Sequence, residues 1–310
     1  MNTTPALHVR AVEKSFGSRK ALAGMDLSVA PGELLGVVGP NGAGKSTLVR
    51  AIAGRIRPEA GTIEVYGQPA GSSAASKLVG FVPQELALYP LLTARENLAA
   101  FARYQRIGGR ELQRVVDEAL RWTALHDRAG DRTAHLSGGM KRRLNIAAGV
   151  LHDPKLLLLD EPTVGVDPQS RERIYTMIGE LRDRGMALVY TSHYMEEVER
   201  LCDRIVIVDR GRVIAGGKRD DLVREHVGHA QELTITTDRY MEPALREKLS
   251  RFGASMNGTV AKIRITSAAD QIADVLSVYR DESARVSDLA LTSPGLEAVF
   301  LALTGRELRE

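Results

Sequence analysis

The stretch GPNGAGKST, Gly39 to Thr47, constrains this chain more than any other. It follows an apolar run, Leu34-Leu35-Gly36-Val37-Val38, that reads as a buried strand. It precedes Leu48, Val49, Ala51 and Ile52, which fall on one side of a short helix. A glycine-rich loop between a strand and a helix is the context a phosphate-binding loop needs. Gly39, Gly42 and Gly44 free the backbone to point its N–H groups inward as a nest for anionic oxygens, and the helix adds the positive end of its dipole. Lys45 is placed to reach terminal phosphates and the Ser46 hydroxyl to ligate Mg²⁺. The plain alternative is a glycine-rich turn that matches by accident, and the flanking strand and helix weigh against it.

In chain order, Leu7 to Val12 and Ala21 to Val29 read as strands separated by a turn at Lys14–Gly17. Phe16 in that turn either stacks on a nucleotide base or caps the sheet edge. Thr62 to Tyr66 is a strand, Gly67-Gln68-Pro69 a turn, and Val79 to Pro83 a short buried strand ending at Gln84. That glutamine is either a polar strand cap or a ligand for Mg²⁺ or water. Thr93 to about Ala129 is helical, broken at Gly108-Gly109, and interrupts an otherwise alternating α/β chain. Ser137 caps a further helix at Ser137-Gly138-Gly139, whose exposed backbone donors could hold a second phosphate face; a plain capped helix is the alternative.

Leu156 to Leu159 is a run of leucines of the kind buried on both faces of a parallel sheet, and it ends in Asp160 and Glu161. Strand alternation would send these two carboxylates to opposite faces, Asp160 toward Mg²⁺ and Glu161 toward an attacking water. A turn at Gly165–Pro168 leads into a helix over Gln169–Arg184, and Ala187 to Thr191 is another buried strand. It delivers His193 to the same carboxyl edge, where parallel sheets bind ligands. A helix over Glu196–Asp203 and strands over Arg204–Asp209 and Val213–Ala215 follow. Past about Val227 the alternation and helical periods describe a smaller α+β unit without phosphate or metal signatures.

Composition narrows the function classes. With 42 basic and 39 acidic residues and a net charge of +3, no charge block marks a nucleic-acid footprint. The single cysteine, Cys202, can form neither an internal disulfide nor a zinc cluster, and its apolar neighbours suggest a buried thiol. No apolar signal region opens the chain and no apolar run is long enough to cross a bilayer. A cytosolic protein is expected, with any membrane role exercised through a partner.

Taken in order, GPNGAGKST, Gln84 after Phe81-Val82-Pro83, Leu136-Ser137-Gly138-Gly139-Met140, LLLLDEP at 156–162 and Thr191-Ser192-His193 resemble an ATP-binding cassette ATPase. LSGG lying between the phosphate loop and the acidic strand is close to diagnostic. LSGGMKRRL, TVGVDP, TSHYMEEVE and the end SPGLEAVFLALTGRELR are similar to the stand-alone ATPase subunits of two-component exporters of drugs, antibiotics, lipids or polysaccharides.

The resemblance implies an α/β P-loop fold with a central, mostly parallel sheet, an antiparallel β subdomain and a helical subdomain at about 85–152. The cassette spans 1–227 and a small α+β accessory domain 228–310. It implies a homodimer with ATP and Mg²⁺ sandwiched at its interface, docked on a separate integral-membrane permease at the cytoplasmic face of the membrane. Phe16 would stack on adenine, and Gly39, Pro40, Asn41, Gly42, Ala43, Gly44, Lys45, Ser46 and Thr47 would hold the phosphates. Ser46, Gln84 and Asp160 would surround Mg²⁺, Glu161 would be the general base, and His193 would bridge to the γ-phosphate. Leu136, Ser137, Gly138, Gly139 and Met140 would act on the partner copy's ATP, with Asp167 lining the same interface.

Met140 replaces a commoner Gln, which it cannot match in hydrogen bonding, and Val166 replaces Leu. Neither touches the proposed chemistry. The segment from Gln84 to Tyr104, with Tyr89-Pro90-Leu91-Leu92, would be the docking surface. An importer ATPase shares these motifs. A soluble cassette working on nucleic acid or ribosomes lacks support from a second cassette, a coiled coil or zinc cysteines. A non-catalytic regulator sits badly with an intact Glu161 and His193.

Overall fold

A β-hairpin opens the chain, β1 (Leu7–Phe16) and β2 (Arg19–Val29), and leads through β3 (Leu34–Val38) into α1 (Lys45–Ile52). Then come β4 (Ala60–Val65), β5 (Gln68–Pro69), α2 (Ser73–Leu78) and β6 (Val79–Val82). Helices α3 (Ala94–Tyr104), α4 (Gly109–Trp122) and α5 (Gly138–Val150) form the expected helical region. The alternation resumes with β7 (Leu156–Asp160), α6 (Pro168–Asp183), β8 (Ala187–Ser192), α7 (Met195–Leu201), β9 (Arg204–Asp209) and β10 (Arg212–Gly217). The computed structural model describes residues 4–228, 231–266 and 268–305.

Residues up to Lys218 make one unit and those from Arg219 a second. In the first, β2-β1-β4-β5 form an antiparallel sheet and β10-β9-β3-β8-β7-β6 a six-stranded one. Strands β9, β3, β8, β7 and β6 run parallel, with only β10 antiparallel at the edge. Every residue of β3, β7 and β8 is buried, as a strand covered on both faces requires. The helical region has its own core around Leu98, Leu120, Leu125 and Leu144. Its first helix starts at a reciprocal capping box, Thr93 with Glu96.

Register sets the site. Val38 pairs with Ser192 and Asp160 with Thr191, so the carboxyl ends of β3, β8 and β7 lie side by side. Segments far apart in sequence thereby deliver the phosphate loop, Asp160-Glu161 and His193 to one edge.

The second unit contains α8 (Arg219–His226), β11 (Gln231–Thr237), α9 (Pro243–Ser250), β12 (Ser255–Asn257), β13 (Val260–Ile265), α10 (Ala268–Asp281), β14 (Val286–Thr292) and α11 (Leu296–Thr304). Its antiparallel sheet has the order β12-β13-β11-β14. Leu233, Ile235, Ala261 and Ile263 alternate onto the face covered by Leu245, Leu249 and Tyr279. The βαββαβ order is that of a ferredoxin-like unit.

Several local expectations change. Phe16 belongs to β1 and pairs with Arg19, so the turn is narrower than Lys14–Gly17. Gln68-Pro69 is a short strand on β4, not a turn, because the chain reverses at Tyr66-Gly67, both at positive φ. Helices α2 and α8 and strand β12 have no forecast counterpart; each is too short to show a period. The division falls ahead of the pattern change at Val227, because α8 buries Leu222 and packs with α11. The last part of SPGLEAVFLALTGRELR, from residue 306, lies outside the described residues.

Candidate functional site

The phosphate loop is built as its glycines demand. Gly42 and Gly44 have φ of 82° and 108°, and Gly44 stands at the N-terminus of α1. A Cβ on Gly39 would lie 2.1 Å from the Val208 carbonyl oxygen, and one on Gly44 would lie 2.4 Å from that of Ala21. Side chains there would push the loop off the sheet. The loop borders a cavity of about 450 Å³ lined also by Phe16, Arg19, Gln84 and Glu161. Phe16 is half exposed at its mouth, with Lys14 Nζ 5.7 Å from the ring centre.

Lys45 is buried and donates to the carbonyls of Gly39 at 2.7 Å and Pro40 at 3.2 Å. Its ammonium also lies 3.3 Å from Glu161 Oε1. Burial pulls the Lys45 pKa below its ordinary value, and Glu161 and then Asp160 oppose that pull. The other Glu161 oxygen is 3.1 Å from His193 Nδ1 and 3.4 Å from Gln84 Nε2.

Asp160 Oδ1 accepts from Ser46 Oγ at 3.0 Å and Thr191 Oγ1 at 2.9 Å. Its Oδ2 is buried without a hydrogen-bond partner. Burial raises the Asp160 pKa, and the two hydroxyl bonds counter it. An orphaned carboxylate oxygen beside a serine hydroxyl and a nearby glutamine amide is a hard-oxygen donor set that fits Mg²⁺.

The forecast that Asp160 and Glu161 point to opposite faces is overturned. The strand ends at Asp160, and Glu161 takes φ 47°, a left-handed conformation rare for a side-chain-bearing residue. That turn brings both carboxylates to the start of α1, one on Ser46 and one on Lys45. Their different partners, not different faces, separate them chemically. The Glu161 N–H donates to Thr191 Oγ1 at 3.0 Å, which helps hold the turn.

Leu136–Met140 does not line this cavity. Ser137 caps α5 by accepting from the Met140 N–H, and Ser137 and Gly138 are exposed. Asp167 caps α6, accepting from the Ser170 N–H at 2.9 Å. A Cβ on Gly139 would lie 2.0 Å from Ser170 Oγ and 3.2 Å from Asp167 Oδ2, so the two helix starts abut there. Met140 turns its side chain into the helical core, which suits Met better than Gln, and Val166 is buried. The Cys202 thiol lies beside Gly36, and burial pushes its pKa up, which makes it a poor nucleophile.

Two roles escaped the sequence reading, which quoted Thr191 only as a strand end and within the Thr191-Ser192-His193 motif. Arg19 donates to the Gly42 carbonyl at 2.9 Å, and Thr191 serves Asp160 and Glu161 together. A lone Arg after an aromatic in a hairpin carries no periodic signal, and Thr191 reads as an ordinary strand residue. A larger cavity of about 630 Å³ lies along α4 and the end of α5. Its Arg114 is already held by Glu111 and Glu118, and none of the phosphate-loop residues reaches it.

Residues 22–164 match the sequence profile described as ABC transporter. The chain is 39% identical to the linearmycin resistance ATP-binding protein LnrL of Bacillus subtilis (strain 168), over 98% of this chain and 100% of that one. It is 38% identical to the Nod factor export ATP-binding protein I of Rhizobium sp. (strain N33), over 98% of this chain and 99% of that one. A solved dimeric, post-hydrolysis state of the ATP-binding cassette MJ0796, bound to ADP and Pi, is 27% identical. It covers 68% of this chain and 98% of its own, with a TM-score of 0.63.

Proposed function

The chain belongs to the ABC transporter family as an ATP-binding, ATP-hydrolysing subunit, and from that premise we propose that it powers export through a separate integral-membrane permease. The solved post-hydrolysis state of the cassette MJ0796 is dimeric, which supports a paired arrangement for this chain. The observation that carries the chemistry is the convergence of Lys45, His193 and Gln84 on the Glu161 carboxylate at the edge of the phosphate loop.

Phe16 stacks on adenine at the cavity mouth. The backbone N–H groups of Asn41 to Thr47 and the start of α1 cradle the phosphates. Lys45, now shared between Glu161 and two carbonyls, turns to the terminal phosphates when they arrive. Ser46, Gln84 and Asp160 would hold Mg²⁺, which supplies charge neutralisation on the phosphate oxygens when bound. Glu161 takes the proton of the attacking water as the new P–O bond forms and the ADP oxygen departs. His193, whose Nδ1 lies 3.1 Å from Glu161, bridges to the γ-phosphate.

A second copy completes the site. Exposed Ser137 and Gly138 and the positive start of α5 meet the γ-phosphate of the partner's ATP, with Asp167 alongside. ATP then joins the two copies, and loss of phosphate releases them. Leu86, Tyr89, Leu91 and Tyr104 give the permease an apolar landing, with Leu91 77% exposed. No helix among the described residues is long and apolar enough to cross a membrane. Docked on that permease, the subunit works peripherally, at the cytoplasmic face. The unit from Arg219 is an accessory domain, and the near full-length similarity to two ATP-binding proteins of resistance and export supports export over import.

Glu161→Gln tests the reading. With ATP and Mg²⁺, turnover should fall by about 10²–10⁴-fold while an ATP-bound dimer accumulates on size exclusion. Wild-type turnover in that variant would remove Glu161 from its role. Co-expressed with a permease encoded beside its own gene, the chain should purify from membranes; a chain that stays soluble and unstimulated beside it sinks the export reading.

A further inference from the structure

Strand β8 presents two sets of side chains. Thr191 faces the site, where it holds Asp160 Oδ1 and the Glu161 N–H. Its neighbours Tyr190 and Ser192 point the other way and meet a second buried carboxylate, Glu197, in the first turn of α7.

Glu197 is 4% exposed. One oxygen, Oε2, accepts from Thr163 Oγ1 at 2.8 Å, Tyr190 OH at 2.8 Å and Ser192 Oγ at 3.0 Å. Three hydroxyls donating to a single oxygen call for an ionised acceptor, and the guanidinium of Arg171 on α6 lies 3.7 Å from Oε1. A buried charge so arranged is costly unless its partners are fixed, so the partners are held where Glu197 needs them.

The identity of those partners gives the arrangement its meaning. Thr163 lies two residues past Glu161, on the chain leaving β7. Ser192 immediately precedes His193, and its hydroxyl also accepts from the Tyr194 N–H at 2.9 Å, so both flanks of His193 are tied to it. Glu161 is held in a left-handed conformation, with its own N–H bound to β8 and the chain two residues later bound to Glu197. One carboxylate therefore grips the β7 exit and the β8 exit together, behind the two residues that meet at 3.1 Å in the site.

We propose that Glu197 is a positioning residue for ATP hydrolysis, binding the segments that carry Glu161 and His193 so that the pair keeps its geometry. The inference rests on the reading of Glu161 as the base. Glu197 touches neither the cavity nor the phosphate loop, so its loss acts on turnover rather than on nucleotide binding.

The test uses the full chain and steady-state hydrolysis with Mg-ATP. Glu197→Gln keeps the volume and removes the charge that organises the three hydroxyls. It should lower kcat on the order of tenfold to hundredfold, with KM for ATP within about threefold of wild type. Thr163→Val, which removes one hydroxyl at equal size, should lower kcat in the same way, and Thr163→Ser, which keeps it, should restore most of the rate. The Glu197→Gln/Thr163→Val double variant should be no slower than the slower single, because the residues act as one unit. A kcat for Glu197→Gln within about twofold of wild type, or a raised KM at unchanged kcat, overturns the proposal. If Glu197→Gln does not fold, the Thr163 pair decides by the same outcomes. Glu161→Gln run in parallel separates the two readings. If it is inactive while Glu197→Gln is normal, only the positioning role fails; if it turns over like wild type, the base assignment fails.

Discussion

The carboxyl edge of β3, β7 and β8 and the paired starts of α5 and α6 both combine small residues with polar groups, yet they are made differently. At the sheet edge Lys45, Asp160 and Glu161 are buried and bound to several partners each. At the helix starts Ser137, Gly138 and Asp167 are exposed, and the Ser137 and Asp167 side chains act only as local helix caps. Buried charge needs a fixed geometry, and that geometry suits chemistry on a phosphate. Exposed helix N-termini keep their donors free for an anion brought by another surface. On the proposed function, the difference would divide the labour: the buried edge would react and the exposed helix starts would meet the partner copy's nucleotide.

Lys45→Ala strikes the reactive end hardest. It removes the buried cation of the phosphate loop and leaves buried Glu161 without its nearest positive charge. ATP turnover should fall by about 10²–10³-fold or more, and urea unfolding should show a loss on the order of 3 kcal/mol. Near-normal turnover would erase the contrast between the two ends.

Gly139→Ala probes the meeting end. Its Cβ would collide with Ser170 Oγ and Cβ, at 2.0 and 2.3 Å, so a loss of about 1–3 kcal/mol is expected in the same unfolding experiment. Adding Ser170→Gly removes the obstacle and should recover most of that loss. If Gly139→Ala alone is neutral, α5 and α6 are not packed as tightly as their small residues indicate.

A smaller effect distinguishes the ends by the sign of their pH dependence, measured by thermal melts without nucleotide or divalent cation. Burial holds the Asp160 carboxyl above its ordinary pKa of 3.8, so the folded state keeps that proton more readily than the unfolded one. Its contribution to stability is present below about pH 3.8 and is lost as pH rises through the folded value. Asp167 is the reverse. The Ser170 N–H and hydroxyl hold its carboxyl below 3.8, so its contribution is present above that pH and is lost as pH falls through the folded value. Asp160→Asn should therefore gain stability over wild type as pH rises through the acid range, and Asp167→Asn should lose it. Parallel shifts in the two variants would contradict the assigned environments.

Much of both ends was legible because their signals are local. Glycines spaced for a nest, a leucine run ending in carboxylates and a capped Ser-Gly-Gly each state their structure within a few residues. Illegible were groups whose importance depends on a neighbour supplied by another strand. Arg19 matters through Gly42, Thr191 through Asp160, and Glu197 through Thr163 and Ser192. Alternation failed at Glu161 because the strand ends at Asp160 and a positive φ takes the next residue out of the extended path.

The sequence by itself determined which segments are buried strands, where phosphate can be held and which residue types are available to act on it, since these follow from side-chain chemistry and short-range backbone freedom. Only the tertiary structure decided that β3 lies between β8 and β9 with β7 beyond β8. Strand order and register are chosen by packing apolar faces across the whole sheet, a long-range sum that no local window contains. That choice set Lys45, Asp160, Glu161 and His193 at one edge and put Glu197 behind them.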